Sequence, residues 1–375
     1  MQISSNFDSG NIRVVSAETP ANIQLEIKHD NESDFYQWFH FKLHNTDRCE
    51  HVLNITNAGK SAFVDGWVDY QAVASYDRVT WFRVPTTFDG DTLSITVTPD
   101  FDSMYFAYFV PYSYERHQDL IHQAQLDEDC QLEVLGQTLD GRDMSLLRVG
   151  EPCDTKVNIW LTARQHPGES MAEWFMEGFI DRLLDEDDGV ARSLLDHAVF
   201  YLVPNMNPDG SVRGHLRTNA VGTNLNREWQ TPSMDKSPEV YLVREKMRAV
   251  GVDMHLDIHG DEALPVNFVA GCEGIPSYDQ RHKDLEDKFK QVLITITPEF
   301  QDERGYDKDE PGTANLTVGS AWVGEEFKCL AFTVEMPFKD NDLLPDPVVG
   351  WNDARSSILG RDALTAIYHV VDDLR

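Results

Sequence analysis

Positive charge is what this sequence lacks most. Lys and Arg number 32 against 64 Asp and Glu, leaving a formal net charge of -32. A surface that acidic repels phosphate backbones and anionic lipid at long range, so neither a nucleic acid nor a membrane is an expected partner. The acids are dispersed along the chain rather than gathered in one tract, which makes them a property of the solvated surface. Long apolar runs are missing too, since no stretch approaches the ~20 residues that a helix needs to span a bilayer. The opening MQISSNFDSGNIR has neither a basic region nor an apolar one, and a secretory signal is not expected. The five cysteines are odd in number, widely spaced and never arranged as CxxC. They read as reduced thiols, and the expected location is the cytoplasm.

What is present suffices for two cores, with 375 residues of which 41% are hydrophobic and 10% aromatic. As far as Val110 the pattern is short and two-periodic, in ANIQLEIKHD, FYQWFHFKLHN, HVLNITNAG, RVTWFRVP, TLSITVTP and MYFAYFVP. In FYQWFHFKLHN, Tyr36, Trp38, His40 and Lys42 alternate with Phe35, Phe39, Phe41 and Leu43 as two faces of a strand would. Such strands, broken by Asn, Gly, Asp and Pro, predict an all-β sandwich domain over residues 1–113. From PYSYERHQDLIHQAQ onward the period changes. VNIWLTA, AVFYLVP, VDMHLDI, VNFVAG and LAFTVEM read as buried strands. SMAEWFMEGFIDRLLD, SPEVYLVREKMRAV, YDQRHKDLEDKFKQVLI and DARSSILGRDALTAIYHVVDDL read as helices. The alternation predicts an α/β domain over residues 114–375, a mixed and mostly parallel sheet with helices on both faces. In such folds, ligands collect where strands give way to loops.

The segment ARQHPGES lies at one such junction, between the strand VNIWLTA and the helix SMAEWFMEGF. His166 and Glu169 there can converge on one cation, and an imidazole with a carboxylate suits Zn²⁺. An HxxE pair alone arises often by chance. A third ligand is offered by VDMHLDIHGDE, where strict alternation puts His255, Asp257 and His259 on one face. His259, at the strand end and followed by Gly260, is the better-placed ligand, and His255 falls to a supporting role behind it. Two histidines and one carboxylate leave a fourth tetrahedral position for water, as a catalytic zinc site requires.

The intervening PNMNPDGSVRGHLRTNAVGTNLNREW is a long irregular stretch dense in Asn, Gly and Arg. Arginines near a metal suit an anionic substrate, because guanidinium meets carboxylate in a two-pronged fork. In an acidic protein they serve equally well as surface ion pairs. Glu335 ends the apolar strand AFTVEMPF, where burial would raise its pKa toward the range of a general base.

The motifs HPGE, NPDG, NLNREW, DIHGD and TVEMPF, in this order, resemble the zinc carboxypeptidases, and specifically the cytosolic carboxypeptidase-like branch with an N-terminal β-sandwich. The 90 residues between Glu169 and His259 also resemble that branch. The resemblance implies a zinc-dependent metallocarboxypeptidase with one zinc per chain, acting on a peptide or protein C-terminus. His166, Glu169 and His259 match the zinc ligands, and Glu335 matches the general base that deprotonates the attacking water. Arg217 looks like the arginine that polarises the scissile carbonyl, and Asn226 with Arg227 looks like the pair that grips the terminal carboxylate. Asn224 stands where many secreted relatives have an Asp orienting the first zinc histidine. Gly312, Thr313, Ala314 and Asn315 stand where the branch often reads G-x-R, which weakens an expectation of glutamate as the leaving residue. The tyrosine that covers substrate in secreted relatives has no secure position, although Tyr306 is available.

Two other readings use the same residues. A zinc-dependent deacylase or amidohydrolase on this scaffold would share the ligands, but such relatives carry extra β-structure after the catalytic part, whereas here it precedes it. A non-catalytic binding protein would not need Glu335 and Arg217 beside a complete ligand set.

Overall fold

A computed structural model describes residues 1–375. Ten strands come first: β1 (Gln2–Ser4), β2 (Arg13–Ser16), β3 (Ile23–Glu26), β4 (His40–His44), β5 (His51–Ile55), β6 (Val73–Ser75), β7 (Phe82–Arg83), β8 (Thr86–Phe88), β9 (Leu93–Val97) and β10 (Ser103–Ala107). They form two five-stranded sheets, ordered β1-β4-β10-β6-β7 and β2-β3-β5-β9-β8. The expected alternation over 35–45 holds only in part. The strand begins at His40, and Tyr36, Trp38 and His40 are as buried as Phe39, Phe41 and Leu43. The face of Trp38 and His40 is covered, with the Trp38 indole donating to Ser9 O (2.8 Å) and Phe7 packed edge-on against His40.

The remainder alternates helices and strands: α1 (Tyr114–Ala124), β11 (Cys130–Gln137), β12 (Asp143–Val149), β13 (Val157–Ala163), α2 (Met171–Leu183), α3 (Gly189–His197), β14 (Ala198–Val203), α4 (Pro208–Arg213), α5 (Pro238–Val250), β15 (Met254–Asp261), β16 (Phe268–Ala270), α6 (Gln280–Ile296), α7 (Gly319–Phe327), β17 (Leu330–Pro337) and α8 (Asp353–Val370). Seven strands make one sheet ordered β11-β12-β14-β13-β15-β17-β16. Its centre, β14-β13-β15-β17, is parallel, and β11, β12 and β16 join antiparallel outside it. Alternate residues serve opposite faces. Ile159, Leu161, Phe200 and Leu202 pack with Phe175, Phe179 and Leu364 of α2 and α8, whereas Trp160, Val199 and Tyr201 pack with Val240, Val243 and Trp322 of α5 and α7. Both faces are therefore apolar and covered, which is why these strands read as continuous hydrophobic runs.

The larger core runs without a break from the sandwich into the α/β part. Tyr108 stacks on Phe338 just beyond β17 (centroids 4.6 Å apart), and Phe109 meets the same ring edge-on. No helix is long and apolar enough to cross a membrane.

Candidate active site

β13, β15 and β17 run parallel, so their C-terminal ends share one edge of the sheet, and each delivers a polar side chain there. Beyond β13 the chain turns sharply at Arg164, whose φ of 56° lies in the left-handed region. That conformation costs about 1–2 kcal/mol for a residue with a Cβ. The buried guanidinium offsets it by donating to Pro167 O and Tyr112 O (both 2.9 Å) and pairing with buried Glu173. The turn carrying His166 and Glu169 is thus braced from beneath.

His166 Nδ1 lies 2.6 Å from Glu169 Oε1, and His259 Nδ1 lies 2.8 Å from Glu169 Oε2. The three side chains are buried, and one potential ligand atom from each lies within 4.8 Å of the others. The outer nitrogen of each ring faces an oxygen: His166 Nε2 is 3.2 Å from Asn224 Oδ1, and His259 Nε2 is 3.0 Å from Asp257 Oδ2, a charge contact without hydrogen-bond geometry. On His166 an acceptor at Nε2 favours the tautomer that leaves Nδ1 free to ligate a metal. Burial, then the nearby Arg217, holds His166 down to about 4. Burial works against charge on Glu169, but the two imidazoles outweigh it and keep the carboxyl well below its usual range. For His259 burial is likewise outweighed, here by the carboxylates of Asp257 and Glu169, which raise its pKa. The donor set fits zinc: two imidazole nitrogens, one carboxylate and a surplus of buried negative charge that a divalent cation would neutralise.

The residues behind the triad lie on the face that alternation in β15 assigns them. Thr162 Oγ1 donates to Asp257 Oδ1 (2.8 Å) and sits 2.9 Å from His255 Nε2, while Gln165 Nε2 donates to Asp257 Oδ2. His255 supports the triad from a distance and is not one of its converging donors.

Glu335 faces His259 across the parallel β15/β17 register and is buried. Burial pushes its carboxyl well above the ordinary range; His259 opposes this, and Glu169 and Asp261 add to it. Its Oε2 has no protein partner. The Tyr306 hydroxyl lies 3.1 Å from Glu335 Oε1 and 2.8 Å from Asp261 Oδ2. The Tyr306 hydroxyl is the donor toward both carboxylates and has one hydrogen, so it serves one of them at a time. Tyr306 is 51% exposed although its hydroxyl reaches the buried carboxyl of Glu335. The surrounding QDERGYDKDEP has neither periodicity nor motif, so nothing in the sequence placed it.

A cleft of about 740 Å³ opens over these groups and is lined also by Arg217, Asn226 and Arg227. Asn226 accepts from Gly319 N through Oδ1 (2.7 Å). Arg227 donates to Asn226 O (2.6 Å), and burial, then Arg217, holds its pKa below the usual value. Arg217 lies with its guanidinium carbon 5.6 Å and 5.4 Å from the ring centres of Phe35 and Phe63. Of the 28 ion pairs in the molecule, none involves Arg217 or Arg227. In a chain with twice as many acids as bases, two unpaired guanidinium groups in one cleft are not surface ion pairs. They are available to an incoming anion. All seven residues expected from the sequence therefore line this one cleft.

A doubly covered parallel sheet with a histidine–carboxylate triad and a buried glutamate at its C-terminal edge defines a metal-dependent hydrolase of the α/β class. Residues 119–349 match the zinc carboxypeptidase family, and residues 3–109 match the cytosolic carboxypeptidase N-terminal domain. The chain belongs to the zinc carboxypeptidases and is a peptide hydrolase. It is similar to a metallo-carboxypeptidase from Burkholderia cenocepacia (49% identity, all of both chains covered, TM-score 0.96). It is also similar to a metallo-carboxypeptidase from Pseudomonas aeruginosa in complex with (2-guanidinoethylmercapto)succinic acid, at 50% identity over all of both chains and a TM-score of 0.98. Cytosolic carboxypeptidase 6 of Caenorhabditis elegans is 26% identical over 89% of this chain and 78% of its own length.

Proposed function

We propose that this enzyme removes the C-terminal residue of a peptide or protein with one zinc ion held by His166, Glu169 and His259. Bound there, zinc supplies Lewis-acid activation of the water and of the scissile carbonyl. Glu335 takes the proton of the attacking water at Oε2 and passes it to the departing amine; the raised pKa suits both halves of that transfer. Arg217 stabilises the negative charge that develops on the carbonyl oxygen. Asn226 and Arg227 hold the terminal carboxylate, which fixes the scissile bond one residue inward.

The two unpaired guanidinium groups beside the triad carry this reading, because only an anionic substrate gives them a partner. The Pseudomonas aeruginosa relative's ligand bears two carboxylates, the group these arginines suit. A division into residues 1–113 and 114–375 is supported by the last sandwich strand ending at Ala107 and α1 beginning at Tyr114. The cytoplasm is the proposed compartment, on the name of the Caenorhabditis elegans relative and five cysteines that are all free thiols.

The test compares one peptide as free acid and as C-terminal amide. The acid should be cleaved and the amide resist. Arg227→Ala should lower kcat/KM on the acid by ~2–5 kcal/mol, as loss of a buried charge partner does at interfaces, with zinc content unchanged. Equal cleavage of acid and amide would sink the carboxylate clamp and favour the amidohydrolase reading.

A further inference from the structure

We propose that the N-terminal sandwich forms part of the active site, and that Asp30 is the positioning residue that holds Arg217 against the reacting carbonyl. The inference rests on the role proposed above for Arg217.

The loop that carries Arg217 runs between two glycines in the left-handed region, Gly214 (φ 70°) and Gly222 (φ 76°). A Cβ on Gly214 would come within 2.6 Å of Ser9 O, and one on Gly222 within 2.5 Å of Glu32 O. Both ends of the loop are thus pressed onto the backbone of the N-terminal half. Between them, the buried carboxylate of Asp30 takes four hydrogen bonds. Oδ1 accepts from Leu216 N (2.7 Å), and Oδ2 accepts from Arg217 N (2.8 Å), Thr218 N (2.9 Å) and Thr218 Oγ1 (3.0 Å). Three consecutive backbone N–H groups converging on one anion fix the local φ and ψ angles far more tightly than a single bond would. The neighbouring Asn31 repeats the grip: its N–H donates to His215 Nε2 (3.1 Å) and its side chain to Ala220 O (2.7 Å).

The side chain of Arg217 is steadied from the same half. Its guanidinium lies near the rings of Phe35 and Phe63, and Phe63 also lines the cleft. Aromatic faces attract a cation without competing for its N–H donors, so the fork stays free for substrate. An arginine that polarises a carbonyl must be placed to within a fraction of an ångström, because a misplacement of about 1 Å can cost ~100-fold in rate. Nothing in the α/β part bonds the Arg217 N–H; its partner is Asp30.

The alternative is that Asp30 merely joins two halves of the protein, and a double-mutant cycle separates the two roles. Asp30→Asn is nearly isosteric but replaces an accepting oxygen with a donor facing other donors. In the full-length zinc-loaded enzyme it should lower kcat by ~10–100-fold, the scale of lost supporting partners, with little change in KM or zinc content. In an Arg217→Ala background the same substitution should change kcat by less than about twofold, since coupled positions are not additive. If Asp30→Asn does not fold, Thr218→Val removes one donor to the same carboxylate and should give a smaller loss of the same kind, again absent without Arg217. A loss of equal factor in both backgrounds, or no loss in either, would overturn the positioning role. An Arg217→Ala enzyme as active as the natural one would instead overturn the role of Arg217 itself.

Discussion

At the scale of single residues, the site separates groups that hold a cation from groups that move protons. Glu335 belongs to the second kind, because its Oε2 is buried without a protein partner while the triad's carboxylate faces both imidazoles. Glu335→Gln should therefore retain zinc and lose ~10²–10⁴-fold in kcat, the usual worth of a positioned general base. Undiminished turnover would remove Glu335 from the proton path. Asn224 is a support, its side-chain oxygen 3.2 Å from His166 Nε2. Asn224→Ala should weaken zinc binding by ~10–100-fold in a chelator competition, and an unchanged affinity would show that His166 needs no orienting partner. The triad was legible because two motifs end predicted strands, and a strand end fixes where its next side chain goes. Tyr306 and Asp30 were not. The partners of Tyr306 lie 29 and 45 residues away in sequence and those of Asp30 186–188, and no local pattern encodes such a meeting.

Among the elements, VNIWLTA coincides with β13, and the four predicted helices all form with ends shifted by a few residues at most. Continuous apolar runs and 3.6-residue periods suffice there. β11 escaped because its ladder to β12 shifts register between Val134 and Gln137, around Gly136, which breaks the alternation. α4 lies inside the stretch read as irregular, where Asn207 caps it by accepting from Gly210 N (3.1 Å). α7, GSAWVGEEF, has two glycines and forms by packing on the sheet, not from propensity. The contact between α2 and α8 relies on small residues. A Cβ on Gly360 would lie 2.0 Å from Phe175 O, and one on Gly178 would lie 2.0 Å from Ser357 O. Gly360→Ala must push the helices apart, so urea unfolding should show a loss of ~1–3 kcal/mol, the scale of overpacking, despite alanine's better helix propensity. An unchanged or higher stability would mean the helix pair has slack.

Taken whole, the molecule joins its two parts through one core, and acid should attack that core. His40 in β4 is buried, with Nδ1 2.9 Å from Ser9 Oγ and Nε2 unpartnered. Burial, then Arg78, holds its pKa down to about 3, against 6.5 for an ordinary imidazole. The unfolded chain takes up a proton below pH ~6.5 that the folded chain refuses until about 3, so this residue's contribution falls as pH drops through that window. At about pH 5 the loss is ~2 kcal/mol. Between pH ~7 and ~5 the natural protein should lose about that much more stability than His40→Gln in urea melts; parallel losses would show that His40 is not the group responsible.

By itself the sequence determined the class of fold, the covered parallel sheet and the candidate ligands, because period, strand ends and ordered motifs are local properties. It also supplied the acid surplus against which two arginines had to be explained. Only the tertiary structure decided that those arginines are unpaired, that Glu335 is buried beside His259, and that Asp30 of the sandwich grips the loop of Arg217. Burial and pairing depend on which distant segments are brought together, and that is fixed by the packing of one continuous core.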